Sequence, residues 1–117
     1  MSGNEPLVYD LSIVKEASDD IEYLKEITGY FINNAGEMLK VLEKAFSESD
    51  YESAQNAAHK LSSNFYMFGL NEGAAALSKI DLSLKNKENY KEIPSLIMLA
   101  QKQGEEAIRQ LRRDFHE

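Results

Sequence analysis

Cysteine and tryptophan are absent from the 117-residue sequence, and proline occurs only twice. The lack of cysteine excludes disulfides, thiolate metal sites and cysteine nucleophiles. Basic residues are also scarce, with 13 Lys and Arg against 20 Asp and Glu, which gives a formal net charge of -7. Nucleic acids and anionic membranes bind basic surfaces, so we expect neither of them as the partner.

Long hydrophobic runs are missing as well. No stretch approaches the roughly 20 apolar residues of a membrane span, and the N-terminus lacks the basic and apolar segments of a secretory signal. Together with the absence of cysteine, this predicts a soluble protein of the cytoplasm. A chain of 117 residues has the length of one domain, and no linker, repeat or low-complexity segment divides residues 1–117.

Apolar residues recur every three or four positions along most of the chain, which is the period of an α-helix. The predicted helices are a short one over Asp10–Ser18, a long one from about Ile21 to Ala45, one from about Tyr51 to Phe68, one that begins at Asn71 and fades near Lys85, and one from about Ile93 to Phe115. Asp10 is the expected N-cap of the first helix, and Gly69 is the expected left-handed cap that ends the third. Four substantial helices joined by short loops predict an all-α fold, an antiparallel four-helix bundle with a short additional N-terminal helix.

The third predicted helix carries His59 in the middle of the stretch AAHKLSSNFYMFGL, residues 57–70. At about 100° per residue, the side chains within about 60° of His59 are all polar: Gln55, Asn56, Ser62, Ser63 and Tyr66. The apolar side chains lie on the opposite side of the helix, which argues against a buried core histidine. Two interpretations remain, a solvated surface histidine without a role and a displayed nucleophile, since a neutral imidazole nitrogen is a competent nucleophile.

Other chemistry has less support in the sequence. A metal site needs converging ligands, but the only other histidine is His116, and no acidic residue lies three or four positions from His59. A serine nucleophile at Ser62 or Ser63 lacks the G-x-S-x-G elbow. No glycine motif for nucleotide phosphates occurs either. We therefore do not expect an enzyme with self-contained catalytic activity, nor a metal site.

The residues from Ala58 to Gly69, A-H-K-L-S-S-N-F-Y-M-F-G, resemble the signature of histidine-containing phosphotransfer (HPt) domains, commonly written H-x-L-K-G-S-S-x-x-L-G. His59, Leu61 and Gly69 match the signature, and the resemblance extends over nearly the whole chain. It implies a phosphorelay carrier in two-component signalling, in which His59 accepts a phosphoryl group from the aspartyl phosphate of a receiver domain and passes it to another receiver aspartate. The implied partners are response-regulator receiver domains or a hybrid histidine kinase. The carrier needs no cofactor of its own, because the receiver supplies Mg2+, and a monomer is expected.

Two positions depart from the HPt signature, since Ser62 and Ser63 stand where the family usually has lysine and glycine. We hypothesise that Lys60 replaces the charge of the missing lysine and that the two serines donate hydrogen bonds to phosphoryl oxygens. The remaining candidate contacts are Gln55, which is expected to orient the imidazole, and Tyr66 and Met67 as part of a docking face. The alternative function is a helical adaptor, or a degenerate HPt-like domain, that docks a receiver without being phosphorylated.

Overall fold

Four long α-helices make up most of the computed structural model, which describes residues 5–116. They are α1 (Ile21–Ser47), α2 (Tyr51–Met67), α3 (Asn71–Asn86) and α4 (Ile93–Phe115). Short loops make consecutive helices antiparallel, and each helix packs against the one before and the one after it, with α4 closing the bundle against α1. The predicted four-helix bundle is confirmed. None of the described helices is both long and apolar enough to cross a membrane.

The helix ends follow from capping residues in the sequence. The carboxylate of Asp20 accepts a hydrogen bond from the backbone N–H of Tyr23 at the start of α1, and that of Asp50 accepts one from Ser53 at the start of α2. Each bond satisfies one of the backbone donors that a helix N-terminus leaves free. Beyond the end of α2, Gly69 has a φ of 72°, so the predicted left-handed cap is confirmed.

The predicted helix over Asp10–Ser18 is present only as a single turn of 3-10 helix, Val14–Glu16. Asp10 does not cap a helix. Its carboxylate accepts hydrogen bonds from the backbone N–H and the hydroxyl of Ser12, and its own N–H donates to the carbonyl of Phe68 beyond the end of α2. Such local side-chain hydrogen bonds compete with helix formation, which explains why the expected boundaries were wrong.

Residues 5–17, which we call the N-terminal strap, are fixed along α4 by side chains of that helix: Arg109 and Arg113 pair with Glu5, Asp114 accepts from Tyr9, and the buried Gln110 binds the backbone. The amide oxygen of Gln110 accepts a hydrogen bond of 2.8 Å from the backbone N–H of Val8, and its amide nitrogen donates one of 3.1 Å to the carbonyl of Pro6. Gln110 is fully buried, so both of its polar ends need these partners. Further along the strap, Leu11 and Val14 are buried in the core.

The centre of the core is the ring of Phe65 on α2, which is completely buried. Its ring centroid lies 6.0 Å from that of Phe31 on α1. A Cβ atom added at Gly73 of α3 or at Gly104 of α4 would lie less than 3 Å from the Phe65 ring. All four helices therefore approach this side chain closely, and they hold α2 in a fixed position with its opposite face to the solvent.

Candidate functional site

One face of α2 is fully committed to the core. Its buried residues are Ala54, Ala57, Ala58, Leu61 and Phe65. His59 projects from the opposite face, and 71% of its side-chain surface is exposed, as the helical projection predicts. A partner can therefore reach the imidazole directly.

The imidazole of His59 is held by a residue of the neighbouring helix. Its Nδ1 atom lies 2.9 Å from the Oδ2 atom of Asp81 on α3. An ionised carboxylate can only accept hydrogen bonds, so Nδ1 carries a proton and donates it. In the neutral ring the other nitrogen, Nε2, then has the lone pair, and this arrangement leaves the exposed imidazole with a single nucleophilic atom.

Gln55 lies one turn before His59 on α2, and its side-chain hydrogen bond goes to Asp81 and not to the imidazole. Its amide nitrogen donates a hydrogen bond of 3.2 Å to the Oδ1 atom of Asp81. The two oxygens of Asp81 thus accept from two different residues of α2. Gln55 is thus linked to His59 through the carboxylate of Asp81.

The two serines that follow His59 have different hydrogen-bonding states. The hydroxyl of Ser62 donates a bond of 2.8 Å to the carbonyl of His59 within α2, so its proton is already in use. Ser63 is exposed on the same face. The structure therefore makes Ser63 the better placed of the two for donating to a group attached to the imidazole.

Lys60 is the only basic residue next to His59 along the helix, and it is exposed. Within the described part of the chain it takes part in none of the ion pairs, which join acidic groups to His59, Arg109 and Arg113. A flexible ammonium on this side of α2 is therefore able to turn toward an anion bound near the imidazole.

Beside the histidine, α2 and α3 enclose a groove of about 480 Å³. Its lining combines hydroxyl, amide and apolar side chains: Ser62, Ser63, Tyr66, Met67, Asn71, Ala74, Ala75 and Ser78. Tyr66 is 60% exposed and Met67 is 39% exposed, so both side chains are accessible to a partner. The structure thus brings four of the predicted site residues together in one groove.

The second histidine serves a different part of the molecule. The Nε2 atom of His116 lies 2.8 Å from the hydroxyl of the buried Thr28 on α1, and that hydroxyl donates to the carbonyl of Leu24. His116 is therefore the donor in its bond to Thr28. Across residues 5–116, no cluster of three or more histidine and acidic side chains is placed to hold a metal ion.

Asp81 is the functional candidate that sequence reasoning missed, because it lies on α3 and not on the helix that carries His59. A different signal was present. If α2 and α3 form a hairpin folded about Gly69–Leu70, residues at equal distances from the turn lie opposite each other, and His59 then faces the neighbourhood of residue 80. Asp81 is the only acidic residue between positions 73 and 87. Its position opposite His59 was therefore predictable from the helix boundaries.

The comparisons with known proteins agree with this geometry. A family model described as Hpt domain matches residues 26–113, which is most of the chain and includes the whole of α2 and α3. No match was found among curated proteins or among solved structures.

Proposed function

The chain belongs to the Hpt domain family, whose members are phosphorelay carriers in two-component signalling, and we propose that His59 is the residue that carries the phosphoryl group. The donor and the acceptor are aspartates of receiver domains. One observation supports this proposal above the others: the imidazole is exposed, its Nδ1 proton is held by Asp81, and Nε2 is left free to react.

The proposed reaction needs no proton transfer at the imidazole. The Nε2 lone pair attacks phosphorus, an N–P bond forms, and the bond between phosphorus and the aspartyl oxygen of the donor breaks with its electron pair on that oxygen. The donor carboxylate is thereby restored. In the onward step the acceptor carboxylate attacks phosphorus, and the N–P electron pair returns to Nε2. The proton on Nδ1 stays in place in both directions.

Asp81 supports this reaction through its charge as well as its position. Attack by Nε2 leaves a positive charge on the ring while Nδ1 keeps its proton. Asp81 then faces a positively charged ring in place of a neutral one, so the attraction between opposite charges strengthens the bond as the phosphorylated ring forms. The side chain of Asp81 is only 22% exposed, which protects the bond from competition with water.

The groove beside His59 is the proposed contact for the receiver domain. Its exposed Tyr66 and Met67 supply apolar area, and its serine and asparagine side chains supply hydrogen-bonding groups at the rim. Protein interfaces commonly have such an apolar centre with a polar border. The Mg2+ ion required for phosphoryl transfer is expected on the receiver, next to its aspartate.

We expect the D81N variant to accept the phosphoryl group about tenfold more slowly than the native protein. The substitution keeps the shape of the side chain, but an amide can either accept from Nδ1 or donate to it, so the proton is no longer confined to Nδ1. A hydrogen bond to a charged group contributes about 1.5–3 kcal/mol, and exposure of the ring places this one at the low end. Single-turnover transfer from a phosphorylated receiver measures the rate.

D19N is the matched control for D81N, because Asp19 is an exposed aspartate outside the site. It changes the net charge equally and is expected to leave the rate unchanged. Equal rates for D81N and the native protein would contradict the role of Asp81.

We expect the K60A variant to accept the phosphoryl group about two- to fivefold more slowly than the native protein. The difference between the two rates should be smaller at high salt, which screens exposed charges. The phosphoryl group adds nearly two negative charges beside Asp81, and exposed charge pairs contribute about 0.2–1 kcal/mol. K102A removes the same charge from α4, which packs against α1 and α3, and serves as the control. If the transfer rate and the lifetime of the phosphorylated form were both unchanged in K60A, Lys60 would not replace the family lysine.

The proposed function is tested by incubating the protein with Mg2+ and a receiver domain that carries a radiolabelled aspartyl phosphate. The label is expected to appear on the protein in a form that is stable to base and labile to acid, as a phosphohistidine is. A second, unlabelled receiver should then remove it. If no receiver domain from the same cell transferred label, the adaptor function would replace the carrier function.

A further inference from the structure

The carboxylate of Asp81 can pair in two directions, with side chains of α2 or with a lysine of its own helix. Toward α2 it accepts hydrogen bonds from Gln55 and His59. Along its own helix, Lys85 lies four residues further on, which is the spacing at which an aspartate and a lysine attract each other on a helix surface. In the described part of the chain Asp81 pairs with His59 and not with Lys85. A further contact is needed to favour the pairing of Asp81 with His59 over the pairing with Lys85.

From this geometry we infer that Gln55 is a positioning residue that acts on His59 through Asp81 and so sets the reactivity of Nε2. The role in phosphotransfer rests on the proposed function, whereas the effect on the imidazole does not. Gln55 touches neither the phosphoryl group nor Nε2, and it is therefore not a catalytic residue.

The hydrogen bonds at Asp81 fix the plane of its carboxylate. Oδ2 accepts from His59 at 2.9 Å, and Oδ1 accepts from Gln55 at 3.2 Å. A carboxylate held at one oxygen can rotate about that bond, but one held at both oxygens by donors from the same helix cannot. The amide of Gln55 has only one way to satisfy this contact, because its oxygen would meet another acceptor.

The consequence for His59 is a choice of tautomer. A neutral imidazole carries its proton on either nitrogen, and the hydrogen bond at one nitrogen decides which form is present. When the carboxylate faces Nδ1, the lone pair is on Nε2, where a receiver can reach it. When the carboxylate turns away toward Lys85 or the solvent, the proton is free to occupy Nε2 and block it. Gln55 therefore raises the fraction of the protein that is ready to react.

The Q55L variant tests this inference in the full chain, since leucine is close in size to glutamine but has no donor. Nitrogen chemical shifts of the His59 ring report its tautomer directly, at a pH of about 8.5 where an ordinary imidazole is neutral. We expect the native ring to be protonated at Nδ1 and the Q55L ring to be a mixture of both forms. The transfer rate should fall about threefold, a factor within the range of one ordinary hydrogen bond. Q101L, the same substitution on α4, should change neither the His59 ring shifts nor the transfer rate.

Unchanged ring shifts in Q55L would overturn the inference. So would a further loss of transfer rate when Q55L is added to D81A, because a residue that acts only through the side chain of Asp81 has no effect once its polar group is gone. A ring shift in Q55L, found in a protein whose native form takes no label from any receiver, would support the positioning role and contradict the proposed function. The two proposals can thus fail separately.

Discussion

The H59Q variant is expected to accept no phosphoryl group, because glutamine offers an amide in place of the imidazole and an amide nitrogen has no lone pair available for attack on phosphorus. The fold should be retained. The His59 side chain is 71% exposed, and substitutions at exposed positions usually change the free energy of unfolding by no more than about 0.5 kcal/mol. Transfer of radiolabel from a phosphorylated receiver and unfolding in urea measure the two properties on the same preparation.

H116Q is the control for this loss, since it removes the other histidine, which contacts Thr28 and not the groove. H116Q is expected to accept the radiolabel from the phosphorylated receiver as the native protein does. Label that persists in H59Q and disappears in H116Q would contradict the assignment of the carrier residue. Binding of the unphosphorylated receiver adds a third measurement. H59Q should bind it nearly as well as the native protein does, because the groove formed by α2 and α3 is unchanged.

The G69A variant is expected to lower the free energy of unfolding by about 2–5 kcal/mol. Gly69 has a φ of 72°, and a side chain in this left-handed region costs about 1–2 kcal/mol. The added Cβ would also lie 2.5 Å from the Cβ atom of Asp10 and 2.9 Å from its backbone nitrogen, which forces the N-terminal strap away from α2. Strain of this kind adds about 1–3 kcal/mol. Urea unfolding with an unchanged m-value is the appropriate measurement.

G36A provides the comparison for G69A, because it makes the same change inside α1. The nearest atom to its new Cβ would be the Cδ1 of Ile108 at 4.0 Å, an ordinary contact. Alanine is about 1 kcal/mol better than glycine in a helix interior, so G36A should be slightly more stable than the native protein. If both variants were destabilised alike, neither the left-handed backbone nor the contact with Asp10 would explain the effect of G69A.

The helices were predictable because their information is local. Apolar spacing, the aspartates before α1 and α2, and Gly69 after α2 each act within a few residues, and the structure places the helix ends close to the expected positions. The exposure of His59 follows from the same spacing. The ends of a helix and the exposed or buried faces of its residues can therefore be predicted from sequence.

The strap was mispredicted because its conformation depends on distant residues as well as on the local hydrogen bonds between Asp10 and Ser12. Leu11 and Val14 have the spacing of a helix face, and either a helix or a single turn buries them. Besides the local bonds of Asp10 with Ser12, distant groups fix the strap: the amide of Gln110 on α4 binds its backbone at Pro6 and Val8, and the carbonyl of Phe68 accepts from the N–H of Asp10. No local pattern in residues 5–17 reports that a buried glutamine of α4 will bind this backbone.

The hydrogen bonds that support His59 could not be predicted from sequence for a related reason, although the position of Asp81 could. Asp81 belongs to another helix, and its contacts with Gln55 and His59 exist only once α2 and α3 have packed. Even with the hairpin drawn correctly, sequence does not decide whether the carboxylate turns to α2 or to Lys85. The direction of the carboxylate depends on a side-chain torsion angle of Asp81, which the sequence pattern does not specify.

The small residues on the inner face of α2 have a consequence beyond filling space. Ala54, Ala57 and Ala58 are buried, and on α3 Gly73, Ala74 and Ala76 are buried as well. The thickness of such side chains sets how far apart two helix axes lie. The separation of the axes in turn sets the reach from a side chain on one helix to a side chain on the other, and hydrogen bonds weaken beyond about 3.2 Å. We therefore expect a larger side chain at one of these positions to lengthen the 2.9 Å contact between His59 and Asp81, and so to weaken the preference for a proton on Nδ1.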